Sequence, residues 1–159
     1  MNRRAQSGFT LVELLVTATI VAILATVALP LAELGVKRTR ENELRAALRE
    51  IRGAIDAYKQ AVDEGRVVKK ADETGYPHTL ESLVEGVEDA RHPKKQKIYF
   101  LRRLPRDPMH PDARSPAADT WGKRAYESPP DAPQEGRDVY DVYSMSPAES
   151  LGGVPYRRW

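Results

Sequence analysis

The chain has 159 residues, 25 of them Lys or Arg and 23 Asp or Glu, with a formal net charge of +2 and no cysteine. Charge this evenly balanced, with both signs interspersed, gives no basis for a nucleic-acid partner. The lack of cysteine excludes a disulfide and any thiolate metal site.

The first element opens after a short leader that contains Arg3 and Arg4. Gly8 and Phe9 then meet at a junction, Glu13 follows within the run Thr10-Leu11-Val12-Glu13, and no charged side chain occurs from Leu14 to Ala32. An apolar stretch of this length is what a helix needs to cross roughly 30 Å of hydrocarbon. A secretory signal peptide would have a shorter apolar core followed by a small-residue cleavage site, and it would not place a carboxylate inside the start of that core. An acid near mid-bilayer is unfavourable by about 3 kcal/mol, so Glu13 marks a specific partner unless it snorkels to the interface. Glu13 lies four residues beyond Phe9, about 6 Å along a helix.

These residues resemble the class III signal of type IV pilins and of the pseudopilins of type II secretion, most nearly the major, G-type pseudopilin. The resemblance implies that a membrane-bound prepilin peptidase cuts after Gly8 and methylates the new amino terminus at Phe9. It implies that Glu13, fifth in the mature chain, pairs with the amine of another subunit during filament assembly. Such pairing removes two uncompensated charges from an apolar bundle at once.

Pro30 falls inside an apolar pattern that continues on both sides, so it is expected to kink or locally melt the helix rather than end it. Gly35 supplies a second flexible point. From Val36 the chain turns polar, yet Leu44, Leu48, Ile51, Ile55, Tyr58 and Val62 recur at spacings of four, three, four, three and four. That stripe predicts an amphipathic helix. Joined to the membrane segment, it predicts one helix from Phe9 to about Val62, near 80 Å long at ~1.5 Å per residue.

Beyond the helix, residues 37 to 159 suffice for one small core, with prolines and glycines concentrated toward the C-terminal half. Gly75-Tyr76-Pro77 predicts a turn into a short helix capped by Thr79, with Leu80, Leu83 and Val84 as its apolar face. Strands are predicted at Lys97 to Leu101, at Lys123 to Ser128 and at Val139 to Ser144, the last alternating in period two. Leu104-Pro105-Arg106-Asp107-Pro108 ends the first of these in a turn. The tyrosine–proline turn and the Leu-Pro-x-Asp-Pro sequence are similar to features of the major pseudopilins. There the aspartate–proline pair runs directly into a tryptophan–glycine, whereas here Met109 to Thr120 intervene before Trp121-Gly122, a segment expected to form a surface loop.

The resemblance also implies calcium, which many major pseudopilins bind in the loop after the last strand. The candidate ligands are Asp138, Asp141, Ser144 and Glu149, with Ser146 close by. Only Glu149 among the carboxylates follows the strand, and Arg157 and Arg158 lie just behind, so the alternative is a loop locked by packing of Tyr156 and Trp159. His78, His92 and His110 show no zinc spacing, and no nucleophile elbow or phosphate-binding loop is present, so no enzyme is expected. The clusters Lys69-Lys70 and Lys94-Lys95, with Lys97, read as solvated faces.

The expectation is an α+β subunit with a cleaved leader (1–8), a membrane and filament-core helix (9–35) and a periplasmic domain (36–159) bearing a short antiparallel sheet. The resemblance implies a homopolymer that also contains minor pseudopilins, sits in inner-membrane lipid before assembly, and is recruited to an inner-membrane platform driven by a cytoplasmic ATPase. Two alternatives stay open: a minor pilin or subunit of a type IV pilus, and a single-span anchored binding domain that never polymerises.

Overall fold

The computed structural model describes residues 9–159. Helix α1 spans Leu11–Asp63, and the chain divides into two compact units after Thr39. In the first unit, the large apolar side chains from Phe9 to Val36 are exposed wherever they are described, including Leu11, Val12, Leu14, Leu15, Ile20, Ile23, Leu24 and Leu31. The helix is long and apolar enough to cross a membrane. The hydroxyls of Thr17, Thr19 and Thr26 donate to the carbonyls of Glu13, Leu15 and Ile23 at 2.9, 2.8 and 2.7 Å, so these polar groups are satisfied within the helix and need no water. Pro30 lies inside α1, and the helix runs on through it.

The second unit is built on the continuation of α1. Leu44, Leu48, Ile51, Ile55, Tyr58 and Val62 are all buried, together with Ala47, Ala54 and Ala61. Burying each large member of that stripe is worth roughly 1.5–3 kcal/mol relative to leaving it exposed. Leu80, Leu83, Leu101, Trp121, Val139, Val142 and Tyr156 complete the core. At the C-terminal end of α1, Gly65 adopts φ 69°. The Arg66 amide donates to the Ala61 carbonyl at 2.8 Å and the Gly65 amide to the Val62 carbonyl at 2.9 Å, the paired bonds of a Schellman cap.

The remaining elements are short. Helix α2 covers Ser82–Glu85, strands β1 (Val87–Glu88) and β2 (Lys97–Ile98) pair antiparallel, and strands β3 (Trp121–Arg124) and β4 (Asp141–Ser144) form a second antiparallel pair. Single 3-10 turns occupy Ala117–Thr120 and Tyr156–Arg158. The architecture is α+β, with two small sheets where one was expected. The N-cap position of α2 is Glu81 rather than the expected Thr79, because α2 begins only at Ser82; the Thr79 hydroxyl accepts the Ser82 amide at 3.4 Å from the turn before it. The strand expected through Leu101 stops at Ile98 because the amides of Phe100 and Leu101 both turn to the Leu83 carbonyl, at 3.0 and 2.9 Å. β3 begins two residues earlier than expected and ends at Arg124, since the Tyr126 amide leaves the ladder for the Asp138 carboxylate at 2.9 Å. In β4, Val142 and Ser144 are buried while Asp141 and Tyr143 are partly exposed, which is the expected alternation.

Two sequence features fasten these pieces to one another. The ring of Tyr76, from the tyrosine–proline turn, meets Tyr126 at 5.5 Å and Tyr140 at 4.9 Å, and the Pro77 carbonyl accepts the Val139 amide at 2.8 Å. In the Leu-Pro-x-Asp-Pro turn, the Pro105 carbonyl accepts the Trp121 indole N–H at 2.9 Å, and the buried Asp107 carboxylate accepts the Ser144 hydroxyl at 2.6 Å. The Asp107 amide donates to the Thr120 hydroxyl at 3.1 Å. The segment Met109 to Thr120 is thereby clamped at both ends, and its length does not disturb the strands on either side.

Candidate subunit-assembly site

Gly8, the residue before the expected cleavage, lies outside the described residues. Phe9, which would carry the new amine, is 81% exposed. One turn on, Thr10 and Glu13 grip each other. The Glu13 amide donates to the Thr10 hydroxyl oxygen, while the Thr10 amide and hydroxyl both donate to Glu13 Oε2, all at 3.2 Å. This is a capping box: it satisfies amides at the start of α1 that have no helical acceptor and sets a negative charge against the positive end of the helix dipole. The Thr-x-x-Glu spacing just ahead of the apolar run is its signature in the sequence. Leu11, Val12, Leu14 and Leu15 around it are exposed, so the carboxylate sits in a hydrocarbon collar at the tip of the helix.

The four candidate calcium ligands do not converge. The Asp138 carboxylate accepts from the Thr74 hydroxyl and, at 2.9 Å, from the Tyr126 amide. Asp141 is held by two guanidinium groups, Arg52 at 2.7 Å and Arg124 at 3.3 Å. Ser144 donates its hydroxyl to Asp107 and accepts the Ser146 amide at 3.2 Å. Glu149 lies in an isolated bridge with Pro155, beyond the strand. A hard divalent cation requires six to eight converging oxygens, and no group of three or more His, Cys, Asp or Glu side chains among the described residues is placed to hold a metal.

The same region contains a network that sequence reasoning missed. Glu41 of α1 is 4% exposed, and its Oε1 accepts the Leu151 amide at 2.7 Å and the Tyr156 hydroxyl at 3.0 Å. Burial, reinforced by the adjacent Glu41 carboxylate, pushes the Tyr156 phenol up to about 12, so it remains a hydrogen-bond donor throughout the accessible pH range. No local signal could reveal a contact between residues 115 positions apart.

An exposed apolar helix with one carboxylate at its tip, followed in the chain by a small α+β domain, has the build of a pilin-like subunit. The family described as the prokaryotic N-terminal methylation motif matches residues 3–29. The chain is 29% identical over 157 residues to the type II secretion system core protein G of Pseudomonas aeruginosa, an alignment covering 96% of this chain and 92% of that relative. It is 30% identical over 116 residues to the protein of the same name from Klebsiella michiganensis, covering 70% of this chain and 74% of the relative. Against that from Aeromonas hydrophila it is 30% identical over 112 residues, covering 68% and 71%. No solved structure matches it significantly. The chain belongs to the family of type II secretion system core protein G, the major pseudopilins.

Proposed function

We infer that the chain is a structural subunit of a type II secretion pseudopilus. A prepilin peptidase cuts after Gly8 and methylates Phe9. The apolar half of α1 anchors the subunit in the inner membrane with its C-terminal domain in the periplasm. An assembly platform then draws it into a helical filament of identical copies and minor pseudopilins that helps move folded proteins across the outer membrane. The subunit itself performs no chemistry.

The observation that carries this reading is Glu13, the sole charged side chain between Phe9 and Ala32, placed at the tip of an exposed apolar helix. The Thr10 box solvates the carboxylate while the subunit is alone in lipid, and in the filament the amine of a staggered copy adds the opposite charge. Pro30, inside the apolar half of α1, lacks an amide donor and is where the helix adjusts during packing.

Intact mass and N-terminal sequencing of the membrane-extracted protein, expressed with and without a prepilin peptidase, test the processing step. The expected product begins at N-methylated Phe9 only when the peptidase is present, and Gly8→Val remains full length. Glu13→Ala is expected to be cut normally yet to form no filaments by electron microscopy. Filaments from that variant would overturn the pairing, and a chain uncut in both strains would overturn the family reading of the leader.

A further inference from the structure

Glu41, Arg45, Leu48 and Arg52 recur at spacings of four, three and four, so they form one stripe along α1. The three charged members engage the chain from β4 onward. Glu41 binds the Leu151 amide and the Tyr156 hydroxyl. The Arg45 guanidinium lies over the Trp159 ring at 4.3 Å, and that ring packs edge-on against Tyr156 at 5.1 Å. Arg52 donates through Nε to Asp141 at 2.7 Å and through Nη2 to the main-chain oxygens of Val142 at 3.0 Å and Trp159 at 2.6 Å. Within the segment, the Ser150 amide donates to the Val154 carbonyl at 2.9 Å and the Tyr156 amide to the Ala148 carbonyl at 3.2 Å.

We propose that this stripe is a metal-free latch, in which a buried carboxylate and two guanidinium groups of α1 hold the segment after β4 in the role that the resemblance would give to a calcium ion. The chemistry is inverted. A calcium loop gathers anionic oxygens around a cation, whereas here the cations belong to the helix, the loop supplies main-chain oxygens and an aromatic face, and the one buried anion faces an amide and a phenol. Asp141, the carboxylate nearest the strand's start, is already neutralised by Arg52 and Arg124, so an added divalent ion would meet two positive charges before it met a free oxygen pair. The subunit therefore reaches its folded form in calcium-poor medium.

Hydrogen exchange of the full-length protein in detergent micelles, followed in the peptide covering 145–159, tests the latch. Equal protection in excess calcium and in EGTA is expected for the parent chain. Glu41→Ala is expected to lower protection of that peptide by about tenfold or more in both media, since it leaves the Leu151 amide and the buried Tyr156 phenol without their acceptor. Tyr156→Phe, which keeps the ring packing, gives the same loss to a smaller extent and serves if Glu41→Ala unfolds the domain. The core peptide covering 44–62 reports on that. Protection that falls in EGTA and returns with calcium would overturn the proposal, as would unchanged protection in both variants. The measurement is made on unassembled subunits, so its outcome stands apart from whether Glu13 drives polymerisation.

Discussion

His78 has an acceptor at each ring nitrogen: Nδ1 is 2.8 Å from the Arg137 carbonyl and Nε2 is 3.3 Å from the Glu73 carboxylate. A neutral imidazole carries one N–H, so both contacts are hydrogen bonds only in the protonated form. The Arg137 carbonyl, then Glu73, raise its pKa above the ordinary 6.5, against opposition from burial and from Lys70. Glu73 is lowered from 4.5, chiefly by the Lys70 amide and further by His78. The signs follow from linkage. The histidine's contribution is complete below its unfolded value and is lost as pH rises through its raised folded value; the glutamate's is present above its unfolded value and is lost as pH falls through its lowered one. Together they stabilise most between 4.5 and 6.5. His78→Gln is expected to lower the thermal midpoint of the full-length protein more at about pH 5.5 than at about pH 8, by a small amount because the imidazole is solvent-exposed. A midpoint difference independent of pH would show that the pair does not titrate with folding.

Gly122 and Tyr143 face each other across the β3–β4 ladder, and the Tyr143 ring lies over the glycine. A Cβ at position 122 would run into that ring, so this two-stranded element depends on an aromatic side chain filling space that its partner leaves empty. Tyr143 is only partly buried, so the outward side of its ring is open to solvent. Gly122→Ala is therefore expected to destabilise by about 1 kcal/mol, read as a lower thermal midpoint, while Lys123→Ala on the same strand stays within about 0.5 kcal/mol. Equal midpoints for Gly122→Ala and the parent would show that the ring contact contributes nothing. Elements of this size explain where the sequence was readable. The α1 stripe repeats over five turns and depends on nothing outside the helix, so periodicity alone reveals its buried face. β1 has two residues and no period to read, and β2 ends where it does because a carbonyl on α2 captures two amides. Asp141 shows the same limit at a site. The resemblance makes it a candidate cation ligand, but its partners are the guanidinium groups of Arg124 on the neighbouring strand and of Arg52, 89 residues earlier in the chain.

Across the whole molecule, burial is divided unevenly. Every side chain described as buried lies at Glu41 or beyond, while the large apolar residues described from Phe9 to Val36 are exposed and require lipid or neighbouring subunits to cover them. Each compact unit therefore depends on a different medium, and the second holds a complete core of its own. A fragment consisting of residues 36–159 retains five residues ahead of Glu41, so fraying of the shortened helix falls mainly on residues that contribute no core contact. Helix-terminal amides exposed by the cut are at the surface, where water satisfies them. The fragment is expected to be soluble without detergent and to unfold in one cooperative transition, with a midpoint within about 4 °C of the full-length protein in micelles. Precipitation, or a broad transition lacking a baseline, would show that the core built on residues 44–62 depends on the preceding segment. Starting the fragment at Asn42 instead removes Glu41 while leaving Leu44 and the rest of the apolar stripe intact. A drop in midpoint between the two fragments would then measure what the Glu41 contacts to Leu151 and Tyr156, with the short lead-in, add to a domain whose core is otherwise unchanged.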